Sequence, residues 1–160
     1  EEVFEGTNGI CISVYENRKP YKQTLHLIPK ILVVGVGCKK GTQAERIKEK
    51  IQKVLAQNHI SEKSICMLAS IDLKAEEDGL IRTARELGAE FVTYSAEELQ
   101  KVKGDFTESA FVASVTGVSN VCERSAVLGS DYGVLLCPKT AEDGVTVALA
   151  VKEYMIDFTI

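Results

Sequence analysis

The sequence predicts an α/β protein, a three-layer α/β/α arrangement around a mixed, mostly parallel sheet of about five strands. Three observations carry this. Residues 31–36, ILVVGV, form a continuous apolar run rich in β-branched residues, as in a strand covered on both faces. The glycine turn Gly37-Cys38-Lys39-Lys40-Gly41 follows and leads into apolar residues at helical spacing. Strand and helix patterns then alternate and close on two successive strands, which gives a mixed sheet with helices on both faces.

Taken in order, the first thirty residues differ from the rest. Glu5-Gly6-Thr7-Asn8-Gly9 is a turn signal, 10–15 and 24–28 alternate as short strands, and a polar stretch with Pro20 separates them. This reads as a peripheral extension, an edge hairpin or a linker in a longer chain, and residues 31–156 read as the domain proper. After the first buried strand, Thr42 precedes Glu45 by three positions, a capping box for a helix carrying Ala44, Ile47, Ile51, Val54 and Leu55. Residues 65–71 form the second strand, and Leu80, Ile81, Ala84 and Leu87 line a second helix stopped by Gly88. A third strand spans 90–94, and Ser95 with Glu98 starts a short helix. Residues 107–115 read as helix or irregular. Ser119 is expected to cap a further helix that ends at Gly129. Two strands, 132–137 and 145–151, close the chain, with 138–144 between them as a functional loop.

The 160 residues favour one compact domain, and the apolar fraction of 45% suits a globular protein. A net charge of −4 argues against a nucleic-acid partner, which selects for a basic stripe. No apolar run reaches the length of a membrane span, and the opening residues lack the basic-then-apolar pattern of a signal peptide. The five cysteines are odd in number and widely spaced, without a Cys-x-x-Cys pair, which suits reduced thiols and a cytoplasmic location. His26 and His59 stand 33 residues apart, so no metal ligand set is expected from the chain.

Four segments could carry chemistry. In Gly35–Thr42, the glycines Gly35, Gly37 and Gly41 let backbone approach a ligand. Cys38 lies among them, Lys39 and Lys40 add charge, and the helix after Thr42 directs N–H groups outward. The pattern is neither a P-loop nor a dinucleotide fingerprint: no Lys precedes Thr42 after a correctly placed Gly, and the third glycine falls one residue late. The segment reads as an anion site or as a turn needed only for geometry. Ser70, Asp72, Lys74 and Glu77 follow the second strand, where ligands of open α/β sheets collect; a plain helix entry is the simpler reading. Thr116-Gly117-Val118-Ser119 is another turn before a helix, with Cys122 read as a buried thiol and Glu123 as structural or as a base. Lys139 and Thr146 flank the last loop. From residues alone, the chain is an α/β small-molecule-binding domain with an anion-friendly edge.

GVGCKKGT, LASIDLKAEEDGL, FVTYSAEEL, TGVSNVCERSA and CPKTAEDGVTVALA, in that order over about residues 27–151, resemble the C-terminal domain of the cobalt-precorrin 5A hydrolases, the CbiG/CobE family of cobalamin biosynthesis. The stretch with TLHLIPK resembles the end of the middle region of the longer members, which gives residues 1–30 their reading. Where this chain has Lys39-Lys40 the family often has arginines, so charge is kept and the bidentate fork is lost.

The resemblance implies hydrolysis of the δ-lactone of a cobalt corrinoid intermediate with loss of acetaldehyde. It implies partnership with the N-terminal domain of a full-length enzyme, and no cofactor beyond the cobalt that belongs to the substrate. A homodimer is left open. Glu123, Asp72 and Glu77 are then the candidate bases, with Glu123 first. Substrate binding would come from Gly35, Gly37, Cys38, Lys39, Lys40, Gly41, Thr42, Ser70, Lys74, Thr116, Gly117, Val118, Ser119, Lys139 and Thr146, with the four lysines and the helix starts at Thr42 and Ser119 meeting the substrate carboxylates. The alternative is a domain that only holds the corrinoid, as the stand-alone CobE suggests.

Overall fold

The computed structural model describes residues 7–106 and 116–157. A five-stranded sheet in the order β5-β4-β3-β7-β6 organises it. The strands are β3 (Leu32–Cys38), β4 (Ile65–Ile71), β5 (Glu90–Tyr94), β6 (Val134–Glu142) and β7 (Val145–Val151). β3, β4 and β5 pair in parallel, and β7 runs antiparallel to both β3 and β6. Four strands therefore point the same way, and their carboxyl ends meet the start of β7, with Cys38 opposite Val145 and Glu142 also opposite Val145. The sheet is the mixed, mostly parallel one that the alternating pattern predicts.

Strand alternation sorts the core onto two faces. Leu32, Val34 and Val36 face Ile47, Ile51 and Val54 of α1 (Ala44–Gln57) and Leu80 of α2 (Asp78–Glu86). Ala148 and Ala150 on the other face pack with Cys122 and Ala126 of α4 (Val121–Gly129). The residues there are small because α4 lies close. A β-carbon on Gly35 would fall on the Cys122 carbonyl oxygen and lie 2.9 Å from Ala126 Cβ. Beside α4, the short α3 (Ala96–Lys101) places Leu99 in a cluster with Ile71, Val118 and Val121. Among the described residues no helix is long and apolar enough to cross a membrane.

Several local expectations are corrected. β1 (Asn8–Ile12) and β2 (Gln23–Leu27) form a parallel pair, with Ile10 opposite Leu25, rather than a hairpin. Thr42 does not cap α1: its hydroxyl donates to the Lys39 carbonyl at 2.7 Å, and Gln43 takes the cap position without a side-chain bond. Asn120, not Ser119, caps α4; it sits in the left-handed region at φ 54° and accepts from Glu123 N–H at 3.1 Å. The expected loop over 138–144 is mostly strand, because β6 continues to Glu142. It turns through only Asp143 and Gly144, both at positive φ as a tight hairpin turn requires. β6 starts after Tyr132, since Asp131 and Tyr132 also have positive φ. The reading of 107–115 lies outside the described residues.

The Ser95–Glu98 box is complete. Ser95 Oγ accepts from Glu98 N–H at 3.2 Å, and the Glu98 carboxylate accepts from Ser95 N–H at 2.7 Å. Ser95→Ala is expected to lower unfolding free energy by about 1 kcal/mol in urea titration. The backbone N–H and the hydroxyl of Ser95 hold the Glu98 carboxyl below its ordinary pKa. A depressed folded pKa gives stability that is present above the unfolded value and lost as pH falls through the folded one. Glu98→Gln should flatten that part of the acid limb of the stability curve.

Candidate functional site

Because β3, β4, β5 and β6 end together, their following segments converge on one edge. The turn after β3 is held by Thr42 N–H donating to the Lys39 carbonyl at 3.2 Å, with Gly41 at φ 76°. Gly41 N–H donates to Glu77 Oε1 at 2.6 Å, and Lys74 Nζ stands 3.4 Å from Glu77 Oε2. Both side chains are mostly covered, at 19% exposed for Lys74 and 11% for Glu77. Glu77 thus ties the turn after β4 to the turn after β3. Burial pushes the Cys38 thiol up; the Lys74 charge opposes this, Glu77 adds to it, and a Thr42 side-chain bond opposes it. Lys39 N–H donates to the Gly144 carbonyl at 3.2 Å, and the Lys39 stem lies against Gly144. Lys39 and Lys40 are exposed, and neither ammonium has an ion-pair partner among the described residues.

The start of α4 forms the opposite wall. Asn120 Oδ1 also accepts from Cys122 Sγ at 3.4 Å. Glu123 is 1% exposed, and its Oε1 accepts from Lys139 N–H at 2.6 Å. At that position the β6–β7 register slips, between Cys137 and Thr140. Burial drives the Cys122 thiol up to about 11, so it is no thiolate nucleophile at neutral pH. Thr146 Oγ1 donates to the Gly37 carbonyl at 3.4 Å, joining β7 to β3 at the edge.

The structure therefore brings together Gly37, Cys38, Lys39, Lys40, Gly41, Thr42, Lys74, Glu77, Lys139 and Thr146, with Glu123 beneath them. Three expected contacts are interior. Gly35 is sealed under α4, Ser70 is fully buried and donates to the Val36 carbonyl at 2.7 Å, and Val118 is packed in the apolar cluster with Ile71. Asp72 is exposed, and its carboxylate takes no bond among the described residues. The Thr116–Ser119 segment leaves Gly117 exposed and Thr116 and Ser119 half-buried.

Two residues with roles here carried no motif. Asn120 supplies the cap of α4. Arg124 donates to the carbonyls of Ser119 at 2.8 Å, Leu99 at 3.2 Å and Val102 at 2.8 Å, with its guanidinium over the Phe106 ring. Asn is a good capping type, which was a usable signal; nothing in the spacing marks Arg124. Among the described residues no three His, Cys, Asp or Glu side chains are grouped to hold a metal ion. A concavity lined by Glu16, Lys19, Ala56 and His59 lies at the far end of α1, away from this edge.

The arrangement is suited to holding anions. It offers the exposed Lys39 and Lys40 beside the start of α1, which has no side-chain cap, while Glu77 and Glu123 are both engaged by backbone N–H groups.

Comparison with known proteins gives a consistent picture. The family model described as "Cobalamin synthesis G C-terminus" matches residues 32–150. A cobalt-precorrin-5A hydrolase of Priestia megaterium is 38% identical over 126 residues, 79% of this chain and 33% of its own length. Protein CobE of a Sinorhizobium species is 29% identical over 121 residues, 74% of this chain and 79% of that protein. The crystal structure of CobE, a protein from the cobalamin (vitamin B12) biosynthetic pathway, matches with a TM-score of 0.72 at 30% identity, covering 78% of this chain and 92% of that one. The chain spans 33% of the length of the Priestia hydrolase.

Proposed function

Since the chain belongs to the cobalamin synthesis G C-terminal family, we propose that it is the corrinoid-holding domain of a cobalt-precorrin-5A hydrolase. The longer protein opens the δ-lactone of a cobalt corrinoid and releases acetaldehyde. This domain grips the carboxylates of the macrocycle at the carboxyl edge of its sheet, and the cobalt arrives and leaves with the substrate. The observation that carries this reading is the pairing of an anion-friendly rim with carboxylates that are already engaged. Lys39 and Lys40 are exposed without acid partners among the described residues, in a chain of net charge −4. Glu77 and Glu123 each accept a 2.6 Å bond from a backbone N–H.

A catalytic role for this domain is the second reading. Lactone opening needs a base for water and donors for the oxyanion. Glu123, first in rank by sequence, is sealed at 1% exposure, so it reaches a substrate only if β6 moves away. Of the three candidate bases Asp72 is the exposed one, and it becomes the base to test.

The test is a titration of the chain with a cobalt corrinoid bearing free carboxylates, followed by absorbance, with acetaldehyde assayed alongside lactone substrate. Binding without acetaldehyde is the expected result. Acetaldehyde release that Asp72→Asn abolishes would favour the catalytic reading, and absence of binding would sink both. Replacing Lys39, Lys40 and Lys139 together by Ser should weaken binding about tenfold, at a few tenths to 1 kcal/mol per rim charge. The deficit should shrink as salt is raised.

A further inference from the structure

Glu123 has the burial of a core residue and the chemistry of a surface one. A carboxylate taken out of water is tolerated where bonds to donors replace its hydration. Here one such donor is the Lys139 backbone N–H at 2.6 Å, on a strand 16 residues further along the chain. The donor stands at an irregularity of β6, where pairing with β7 slips between Cys137 and Thr140 around Pro138. Pro138 has no N–H to give, and β6 is the edge strand of the sheet, where a bulge with proline is tolerated. A bulge frees backbone groups from the ladder and re-aims the side chain it carries. Glu123 takes up the freed N–H.

The residue whose N–H is freed in this way is Lys139, which is half-buried. Its ammonium has no ion-pair partner among the described residues, whereas Lys50 and Lys53 of α1 are both paired with Glu142 near the end of β6. The Lys139 backbone stands by the start of α4 through its bond to Glu123, and its charge opposes the upward push that burial gives the Cys122 thiol. Glu123 itself is anchored from behind, because its own N–H donates to the Asn120 cap at 3.1 Å. A rigid line therefore runs from the α4 cap through the Glu123 carboxylate to the Lys139 backbone.

We propose that Glu123 is a positioning residue that pins the β6 bulge so that the Lys139 ammonium faces the rim as a contact for a ligand carboxylate. It acts through Lys139 and neither touches the ligand nor moves a proton. This rests on the corrinoid-holding reading for the identity of the ligand, and on the geometry alone for the clasp.

Two readouts test it on the whole chain. In nitrogen-15 NMR the Lys139 amide proton, bonded to a carboxylate, should be strongly downfield, and Glu123→Gln should move it upfield. Cobyrinic acid, a cobalt corrinoid with free carboxylates, is then titrated into wild type, Glu123→Gln, Lys139→Met and the double variant, well below their melting temperatures. Each single variant is expected to bind about two- to fivefold more weakly, and the double no more weakly than either, since residues acting through one contact are non-additive. Glu123→Gln should also lose as much of the salt dependence of binding as Lys139→Met does, a change that mere loosening of the fold would not produce. Additive losses, or a Glu123→Gln chain with wild-type affinity, would overturn the proposal. An unmoved Lys139 amide in Glu123→Gln would overturn the clasp itself, while absence of any cobyrinic acid binding by wild type would overturn the reading of the ligand. Should Glu123→Gln not fold, Glu123→Asp, which keeps the charge and withdraws the oxygen, takes its place in the same cycle.

Discussion

Gly35→Ala is expected to leave the chain without a stable fold, or to lower its unfolding free energy by about 3 kcal/mol or more. The added β-carbon would fall on the Cys122 carbonyl oxygen, 2.8 Å from its carbonyl carbon and 2.9 Å from Ala126 Cβ. Neither neighbour is the far end of a flexible side chain. The carbonyl is backbone of α4, and α4 is tied by Ser125 Oγ to the Ala69 carbonyl at 3.2 Å and by Glu123 to Lys139. The helix would have to lift off β3, and Ala126, Ala148 and Ala150 would lose their packing. Gly41→Ala is the control. Gly41 has φ 76° with nothing within 4 Å of an added β-carbon, so that variant should lose only about 1 kcal/mol of backbone strain. Urea midpoints with unchanged slopes compare the two. A Gly35→Ala chain as stable as Gly41→Ala would mean that α4 does not lie on β3 as described.

The same glycine shows how far the sequence could be read. ILVVGV announces a strand covered on both faces, because both faces must be apolar, and β3 follows it. That Gly35 faces a helix starting near residue 121 is a long-range fact with no local sign. Capping divides in the same way. Thr42–Glu45 and Ser95–Glu98 have identical spacing, yet only the second forms, because α1 starts at Ala44 with Gln43 in the cap position, which leaves Thr42 one residue outside it and its hydroxyl turned to the Lys39 carbonyl of its own turn. The loop expected over 138–144 starts at Pro138, yet β6 runs through it, because its edge position and the bulge accommodate the proline. The β1–β2 pair misled because neighbouring short strands usually form antiparallel hairpins.

The candidate site was legible as a neighbourhood and less so as a mechanism. Strand ends collect at one edge of an α/β sheet, so Lys39, Lys74 and Lys139 could be brought together on topology. Which acids were engaged could not be read, since the bonds of Glu77 to Gly41 and of Glu123 to Lys139 join residues 36 and 16 positions apart. A carboxylate in a glycine turn looks alike in sequence whether it waits for water or holds a backbone N–H. The structure separates the two by burial and by the partner.

The Glu77 tie depends on a second close approach, and Gly79→Ala should break it. The added β-carbon would land on the Thr42 carbonyl oxygen, 3.3 Å from its carbonyl carbon and 3.2 Å from Ile47 Cδ1. Ile47 could adjust; the Thr42 carbonyl is backbone beside the start of α1 and cannot move without the turn. Either α2 retreats from α1 or the 39–42 turn opens, and both separate Glu77 from Gly41 N–H. Thr83 Oγ1 donates to the Ala44 carbonyl at 3.2 Å, so a retreat of α2 would strain that bond too. The expected loss is about 2–4 kcal/mol, the sum of overpacking and a broken charge-assisted bond. Glu77→Gln separates the parts: it keeps the packing, weakens the bond and should lose only about 1–2 kcal/mol. The distinguishing measurement is hydrogen exchange at the Gly41 amide. It should accelerate in both variants, while the amides of α2 should accelerate only in Gly79→Ala. Slow exchange at Gly41 in both would show that the turn keeps its shape without Glu77, and would remove the link between the ends of β3 and β4 from the account of the rim.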